Sequence, residues 1–193
     1  MIVANLAKSV KSYLESFLNE RPKVRVSCPD CGVRMHGHGR YFRGVRSSLG
    51  EAAVRIPLYR VICPHCQKTL TVLPHFLRPY SPYTLFAHEG ALLDYSTGDQ
   101  SQEKVAYDRD LEPRTFRRWL RALGEQYWSV LTGWLARRVL EFEPGLWVTG
   151  CYRDVRHRLA VLFRLARAYQ VIVNGIDSTP VLPLIQLSFQ PLF

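Results

Sequence analysis

Apolar residues Ile2, Val3, Leu6, Val10, Leu14, Phe17 and Leu18 recur at three- and four-residue steps, which predicts an amphipathic helix over residues 2–20, stopped before Pro22. From Lys23 to Pro74 the period changes. Short extended pieces, KVRVSC, HGHGRYFRGV, AVRIPLYRVIC and TLTVLP, alternate with Pro and Gly, the pattern of a small antiparallel sheet. A segment this short buries little core of its own and needs a staple. Helical spacing returns over Pro82–Tyr95, Ser101–Tyr107, Pro113–Leu123 and on to about Phe142, then Tyr152–Tyr169, with Pro144 and Gly145 at the last break. Val171–Phe193 holds a single charged residue, Asp177, and its prolines rule out a long central strand. It reads as strand or irregular tail, and a native end and a truncated or frameshifted one both remain open. The expected organisation is an N-terminal helix (1–22), a cysteine-bearing sheet (23–80), a helical pair region (81–124), C-terminal helices (125–170) and an apolar tail (171–193).

Of the 193 residues, 47% are hydrophobic and 22% charged, which excludes wholesale disorder and low-complexity classes. No run reaches the roughly 18 apolar residues of a membrane span, and the opening MIVANLA is cut by Lys8 and Lys11, unlike a signal peptide. A cytoplasmic protein without a membrane partner is expected. Thiols stay reduced there, so paired cysteines point to metal rather than to disulfides.

Lys plus Arg number 26 against 16 Asp plus Glu, a formal charge of +10. Such a surface suits a polyanion, nucleic acid first and an acidic membrane face second. Only five of the 26 are Lys and the rest are Arg, so Arg-rich codon usage is the alternative source of the charge.

Cys28-Pro29-Asp30-Cys31-Gly32 and Cys63-Pro64-His65-Cys66 are two C-P-x-C knuckles 31 residues apart. A two-residue gap lets each turn present both sulfurs to one metal at about 2.3 Å, and two such turns complete a tetrahedron. One structural Zn2+ on Cys28, Cys31, Cys63 and Cys66 is expected, its binding energy replacing the missing core. A rubredoxin-like iron site shares the spacing but fits a basic chain poorly. A zinc deaminase needs His-x-Glu upstream of its C-x-x-C, whereas His88 and Glu89 are adjacent and downstream. A catalytic zinc needs an open position, which four thiolates do not leave. Cys151 has no partner in sequence and reads as an incidental thiol. His36 and His38 could substitute as ligands, but with four cysteines present they read as solvent- or phosphate-facing, and His65, His75, His88 and His157 have no ligand spacing. Arg40, Arg43, Arg46, Arg55 and Arg60, interleaved with Tyr41, Phe42 and Tyr59, leave the ribbon open to two readings: phosphate contact or a solvated face.

Gln102–Arg121, QEKVAYDRDLEPRTFRRWLR, fits a helix-turn-helix. That motif needs a small residue where the helices cross, a turn residue that tolerates left-handed geometry, and apolar residues locking the second helix. Ala106, Asp110, and Val105, Leu111, Phe116 and Trp119 stand at those places. Asp110 replaces the usual Gly, and Asp tolerates left-handed backbone well. Pro113 suits the first helical position and Glu112 the positive end of the dipole. Arg114, Thr115, Arg117, Arg118 and Arg121 stay outside the apolar face as candidate DNA contacts, joined by Arg60 of the ribbon as a candidate phosphate contact.

The order C-P-x-C-G, H-G-x-x, a strand entering C-P-x-C, then LPHFLRPYSPYTL and S-x-x-K-V-A…R-T-F-R-R-W-L resembles the N-terminal region of insertion-sequence transposases that begin with a zinc ribbon and a helix-turn-helix. It more closely resembles short bacterial proteins of unknown function that share that region without a catalytic domain. The resemblance covers about Ser27 to Leu123, through Cys28, Cys31, Cys63, Cys66, Leu73-Pro74, Pro79-Tyr80 and Arg114 to Leu120. It implies recognition of transposon ends or other DNA. Such transposases cut with a metal-binding carboxylate triad on a separate domain. After Leu123 this chain has Glu125, Glu141, Glu143, Asp154 and Asp177 without strand-borne Asp spacing, so no enzyme is expected.

Two apolar stripes, Trp128–Leu140 and Leu159–Ala166, are expected to pack as core, with a second copy or a partner protein as the other use. The expected fold is α+β, a four-cysteine zinc ribbon followed by a helical helix-turn-helix domain, and the expected function is binding of double-stranded DNA. A zinc-dependent protein-interaction module, and the recognition subunit of a split transposase with catalysis on another chain, are the alternatives.

Overall fold

The computed structural model describes residues 1–47, 50–146, 152, 154–174 and 181–183. The fold is α+β, and the chain forms two compact units, Met1–Leu85 and Phe86–Ile185 in their described parts. Cys151, Arg153, Asp177 and most of the apolar tail lie outside the described residues.

The first unit is built on a four-stranded sheet of order β1-β4-β3-β2: β1 (Ile2–Ala4), β2 (His36–Val45), β3 (Val54–Ile62) and β4 (Thr69–Pro74). β2, β3 and β4 form the antiparallel meander that the alternation predicts, while β1 runs parallel to β4, with Ile2 opposite Val72 and Ala4 opposite Pro74. The single helix expected over 2–20 is therefore corrected. β-Branched Ile2 and Val3 find an open sheet edge, and helix α1 (Val10–Phe17) starts only at Ser9, whose side chain accepts from the Ser12 backbone N–H in a capping box. The KVRVSC strand is corrected too. Its one ladder contact is the Ser27–Arg34 bridge, because the piece feeds straight into the first knuckle.

α1 lies against β3. Tyr13 Oη donates to the Pro57 carbonyl at 2.8 Å and Tyr59 Oη to the Phe17 carbonyl at 2.7 Å. Pro57 is tolerated because β4 pairs with β3 only over Tyr59–Ile62, so no ladder N–H is missed on that side. Burial holds the Tyr13 phenol above its ordinary value. Val45, Ile56, Leu58, Leu73, Phe76 and Leu77 are fully or almost fully buried, and a second cluster of Val26, Met35, Val61 and Val72 surrounds Cys28 and Cys63.

The second unit is helical: α2 (Leu85–Thr97, its first residue in the other unit), α3 (Gln102–Asp108), α4 (Pro113–Arg121), a π-helical turn (Ala122–Gln126), α5 (Trp128–Val139), a 3-10 turn (Pro144–Leu146) and α6 (Val155–Asn174). The helix expected from Pro113 to Phe142 is thus interrupted at Gly124. A Cβ there would lie 2.6 Å from Val155 Cγ1, so the break lets α6 approach the backbone closely. Gly124→Ala is expected to cost about 1–3 kcal/mol through overpacking, read from denaturant melts of the helical unit.

Leu131, Leu135 and Val139 of α5 and Leu159, Leu162 and Phe163 of α6 are buried, and Trp128 Nε1 donates to the Arg158 carbonyl at 2.8 Å. This is the core use of the two stripes. At its described residues the tail is helical rather than extended: 171–174 continue α6 and 181–183 form a short turn. Buried Glu89 of α2 accepts the backbone N–H groups of Val181 and Leu182 at 3.0 and 2.9 Å. Burial raises the Glu89 carboxyl despite these two donors and nearby Arg167.

Candidate metal centre and nucleic-acid interface

The two knuckles fold alike. In the first, the Cys28 N–H donates to the Val33 carbonyl at 2.8 Å and the Gly32 N–H to the Cys28 carbonyl at 2.9 Å. In the second, the Cys63 N–H donates to the Lys68 carbonyl at 2.9 Å and the Gln67 N–H to the Cys63 carbonyl at 3.0 Å. The residue after each second cysteine is left-handed, Gly32 at φ 70° and Gln67 at φ 59°. Gly takes that conformation freely, whereas Gln67 takes it at a cost of about 1–2 kcal/mol. The Gln67 side chain donates to the Pro64 carbonyl at 2.9 Å and ties the second turn.

The turns bring the four sulfurs together, all within 4.8 Å of one another. Cys28–Cys66 is 3.5 Å, Cys31–Cys63 3.4 Å and Cys31–Cys66 3.9 Å. These are too long for S–S bonds and near the roughly 3.8 Å edge of a tetrahedron with 2.3 Å arms. Among the described residues this is the one group of three or more potential ligands able to hold a metal ion. The Asp30 carboxylate meets Lys68 Nζ at 2.7 Å across the knuckles.

Backbone N–H groups set the charge of the sulfurs. Those of Asp30 and Cys31 hold the Cys28 thiol below its ordinary value, and those of Cys66 and His65 bring Cys63 down to about 6. At Cys31 the Val33 N–H pulls the same way, but contact with the Cys63 sulfur and burial outweigh it and hold that thiol up at about 12. Four thiolates packed this closely would repel one another, and a cation at their centre would let all of them ionise.

In the helical unit, α3 and α4 are joined by a short turn. Ala106 is fully buried, Asp110 is left-handed at φ 48°, and the Leu111 N–H donates to the Ala106 carbonyl at 2.8 Å. Pro113 opens α4, and the Glu112 side chain caps it by accepting the Thr115 N–H at 2.7 Å. Desolvation opposes ionisation of Glu112, but the Arg114 and Thr115 N–H groups, the Thr115 side chain and the Arg114 charge together hold its carboxyl below the ordinary value.

α4 is sharply two-sided. Phe116, Trp119 and Leu120 are buried, with Trp119 stacked on His88 at 3.7 Å between centroids and Phe116 edge-on to Tyr95 at 6.0 Å. On the other side Arg114, Thr115, Arg117, Arg118 and Arg121, with Glu112, line one open concavity of about 540 Å³. Among the described residues none of these four arginines forms an ion pair. Five of the six candidate DNA contacts thus share one surface. Arg60 is exposed on β3 of the other unit.

The ribbon arginines divide. Arg43 is half-buried and donates to the carbonyls of Arg78, at 3.0 Å, and Ser81. It therefore anchors the turn that carries Tyr80, left-handed at φ 58° and 93% exposed. Arg46 lies over the Tyr83 ring at 5.9 Å. Arg40 and Arg55 are exposed over the ring of Phe42, itself an exposed residue. On α6, Arg158 donates to the Gly124 carbonyl and Arg156 to that of Gln100, at 2.6 Å.

Sequence reasoning missed the internal role of Arg43, the buried Glu89 and the left-handed Gln67. Only the last had a signal: Gln67 follows Cys66 as Gly32 follows Cys31.

A family model described as a domain of unknown function, DUF6431, matches residues 28–119, just under half of the chain. The match begins at the first cysteine of the site and ends at Trp119, so it takes in both knuckles and most of α4. No curated protein and no solved structure matches the chain. No helix among the described residues is long and apolar enough to cross a membrane.

Proposed function

We propose that this protein binds double-stranded DNA through α3 and α4 acting as a helix-turn-helix, and that its four cysteines hold one structural Zn2+ in a zinc ribbon. The observation that carries the reading is the outer face of α4, where Arg114, Thr115, Arg117, Arg118 and Arg121 line a single concavity whose one carboxylate is the capping Glu112, and no guanidinium there is in an ion pair among the described residues. Unpaired, side-by-side arginines repel one another and gain most from an anionic partner. Arg forks pair bidentately with guanine edges and with phosphates. A left-handed Asp110 and a buried Ala106 supply the close crossing that such a helix pair requires.

In this reading α4 lies in the major groove. Arg114 and Arg117, near its start, reach base edges, while Arg118, Arg121 and, on the ribbon, Arg60 meet phosphates. Zn2+ on Cys28, Cys31, Cys63 and Cys66 would supply folding energy, with no open position for a reacting water. The protein is then a binder of transposase-derived or regulatory type, working in a reducing compartment such as the cytoplasm, and not itself a nuclease.

Arg114→Ala or Arg117→Ala is expected to cost about 1–3 kcal/mol on a selected duplex and to relax base choice there, with little change on random duplex. Binding of each variant to both duplexes checks it. Unchanged binding to both, together with loss of a protein partner, would replace this reading by an interaction module.

A further inference from the structure

The formal charge is shared unevenly between the two units. Residues 1–85 contain thirteen Lys or Arg and four Asp or Glu, while residues 86–185 contain thirteen and twelve. The cysteine-bearing unit therefore carries an excess of nine positive charges and the helical unit an excess of one. Four thiolates around a divalent cation lower the first figure by about two. Most of the long-range attraction for a polyanion consequently originates outside α4.

Within the first unit the backbone register selects a surface. On the β2–β3 ribbon Arg40 faces Tyr59, Phe42 faces Pro57 and Gly44 faces Arg55, so Arg40, Phe42 and Arg55 share one face. Phe42 is 42% exposed, with the Arg40 guanidinium 5.4 Å and the Arg55 guanidinium 5.6 Å from its ring centroid. Both are within cation–π reach. Arg40 Nη1 also donates to the Leu18 carbonyl at 2.6 Å. Beside them Arg21 sits over Tyr59 at 5.8 Å and so close to Gly37 that a Cβ there would overlap its guanidinium. Among the described residues, Arg21, Arg40 and Arg55 form no ion pair.

We propose that Arg40 and Arg55, held over Phe42 on the β2–β3 ribbon, form a clamp for the phosphate backbone of duplex DNA that acts alike on every base sequence. This rests on the DNA-binding reading of α4 and gives the cysteine-bearing unit its share of the work. Guanidinium groups held by an aromatic ring lose less freedom on meeting an oxyanion than free ones do, and their forked donors match phosphate. Two cations flank the Phe42 ring, so phosphate contact suits this face better than stacking on an unpaired base. Of the other ribbon arginines, Arg43 is held by backbone carbonyls, Arg46 lies over Tyr83, and exposed Arg60 is the phosphate contact of the reading above.

The test uses the metal-loaded full chain and measures binding to selected and random duplexes across a salt series. The Arg40→Ala/Arg55→Ala double variant is expected to lower the slope of log affinity against log salt by about 2, near 0.9 per lost phosphate contact. Both duplexes should lose affinity equally and site preference should persist. The double Lys variant should restore most of the slope. Arg55→Glu alone, which breaks no backbone hydrogen bond, should weaken both duplexes if Arg40→Ala disturbs folding. An unchanged slope in the folded double variant and in Arg55→Glu, while Arg114→Ala still alters site choice, overturns the clamp and leaves α4 standing. A parent chain that binds neither duplex, or binds anionic vesicles instead, overturns the reading of α4 and the clamp together.

Discussion

Serine at Cys28 or Cys66 is expected to abolish metal binding and unfold the knuckle end of the sheet, while the helices of residues 86–174 keep their signal. Cys28 and Cys63 are buried among Val26, Met35, Val61 and Val72, with Cys31 packed partly against them, so the metal site borders that small cluster. Without a cation two of the thiols are held down and two held up, and the knuckles are held by their backbone turns, the Gln67–Pro64 hydrogen bond and the exposed Asp30–Lys68 pair. Structural zinc contributes about 10–16 kcal/mol in small peptides, as large as the whole stability of a typical domain. Metal analysis should return one zinc per parent chain and none per variant, and hydrogen exchange should show lost protection around Val26–Gly37 and Val61–Val72. Iron with a visible absorption band, no metal in the parent, or a serine variant with unchanged protection would contradict this.

Trp119→Ala is expected to destabilise the helical unit by about 3–5 kcal/mol. The side chain is 2% exposed, stacked on His88 at 18° and edge-on to Phe116 at 6.5 Å, so truncation leaves a cavity bordered by a buried imidazole. Arg117→Ala, two positions earlier and exposed, should change stability by no more than about 0.5 kcal/mol. Urea melts of the two variants separate the faces of α4. A loss below about 1 kcal/mol for Trp119→Ala would mean that this face is not core.

The elements most legible in the sequence are those whose period is long or whose chemistry is local. β2 falls on HGHGRYFRGV residue for residue, and α3 and α4 lie within a residue or two of their expected bounds, because Ser101, Glu112 and Pro113 are start signals that act within one turn. The two-residue gap within each knuckle is enough to expect that its two sulfurs converge, and the pairing of His36 with Ile62 across β2 and β3 brings the two knuckles together. The N-terminus was misread because Ile2, Val3 and Leu6 satisfy a helical period by chance, and the parallel pairing of β1 with β4, some seventy residues away, leaves no local mark. The break at Gly124 escaped notice for a similar reason: a single Gly is tolerated in a helix, and only α6 across the fold gives it a purpose. Arg43 shows the same limit. It reads as one more ribbon arginine, yet it lies on the face opposite Arg40 and Arg55, where the carbonyls of Arg78 and Ser81 take it up.

The central claim is that the chain reads duplex DNA through α4, and selection from a random duplex library tests it most directly. The metal-loaded parent should enrich a defined site in the major groove, with binding that weakens steeply as salt rises, and the Arg114→Ala/Arg117→Ala variant should enrich a relaxed site or none. A parent that enriches no sequence, or a variant that enriches the same site as the parent, would contradict it.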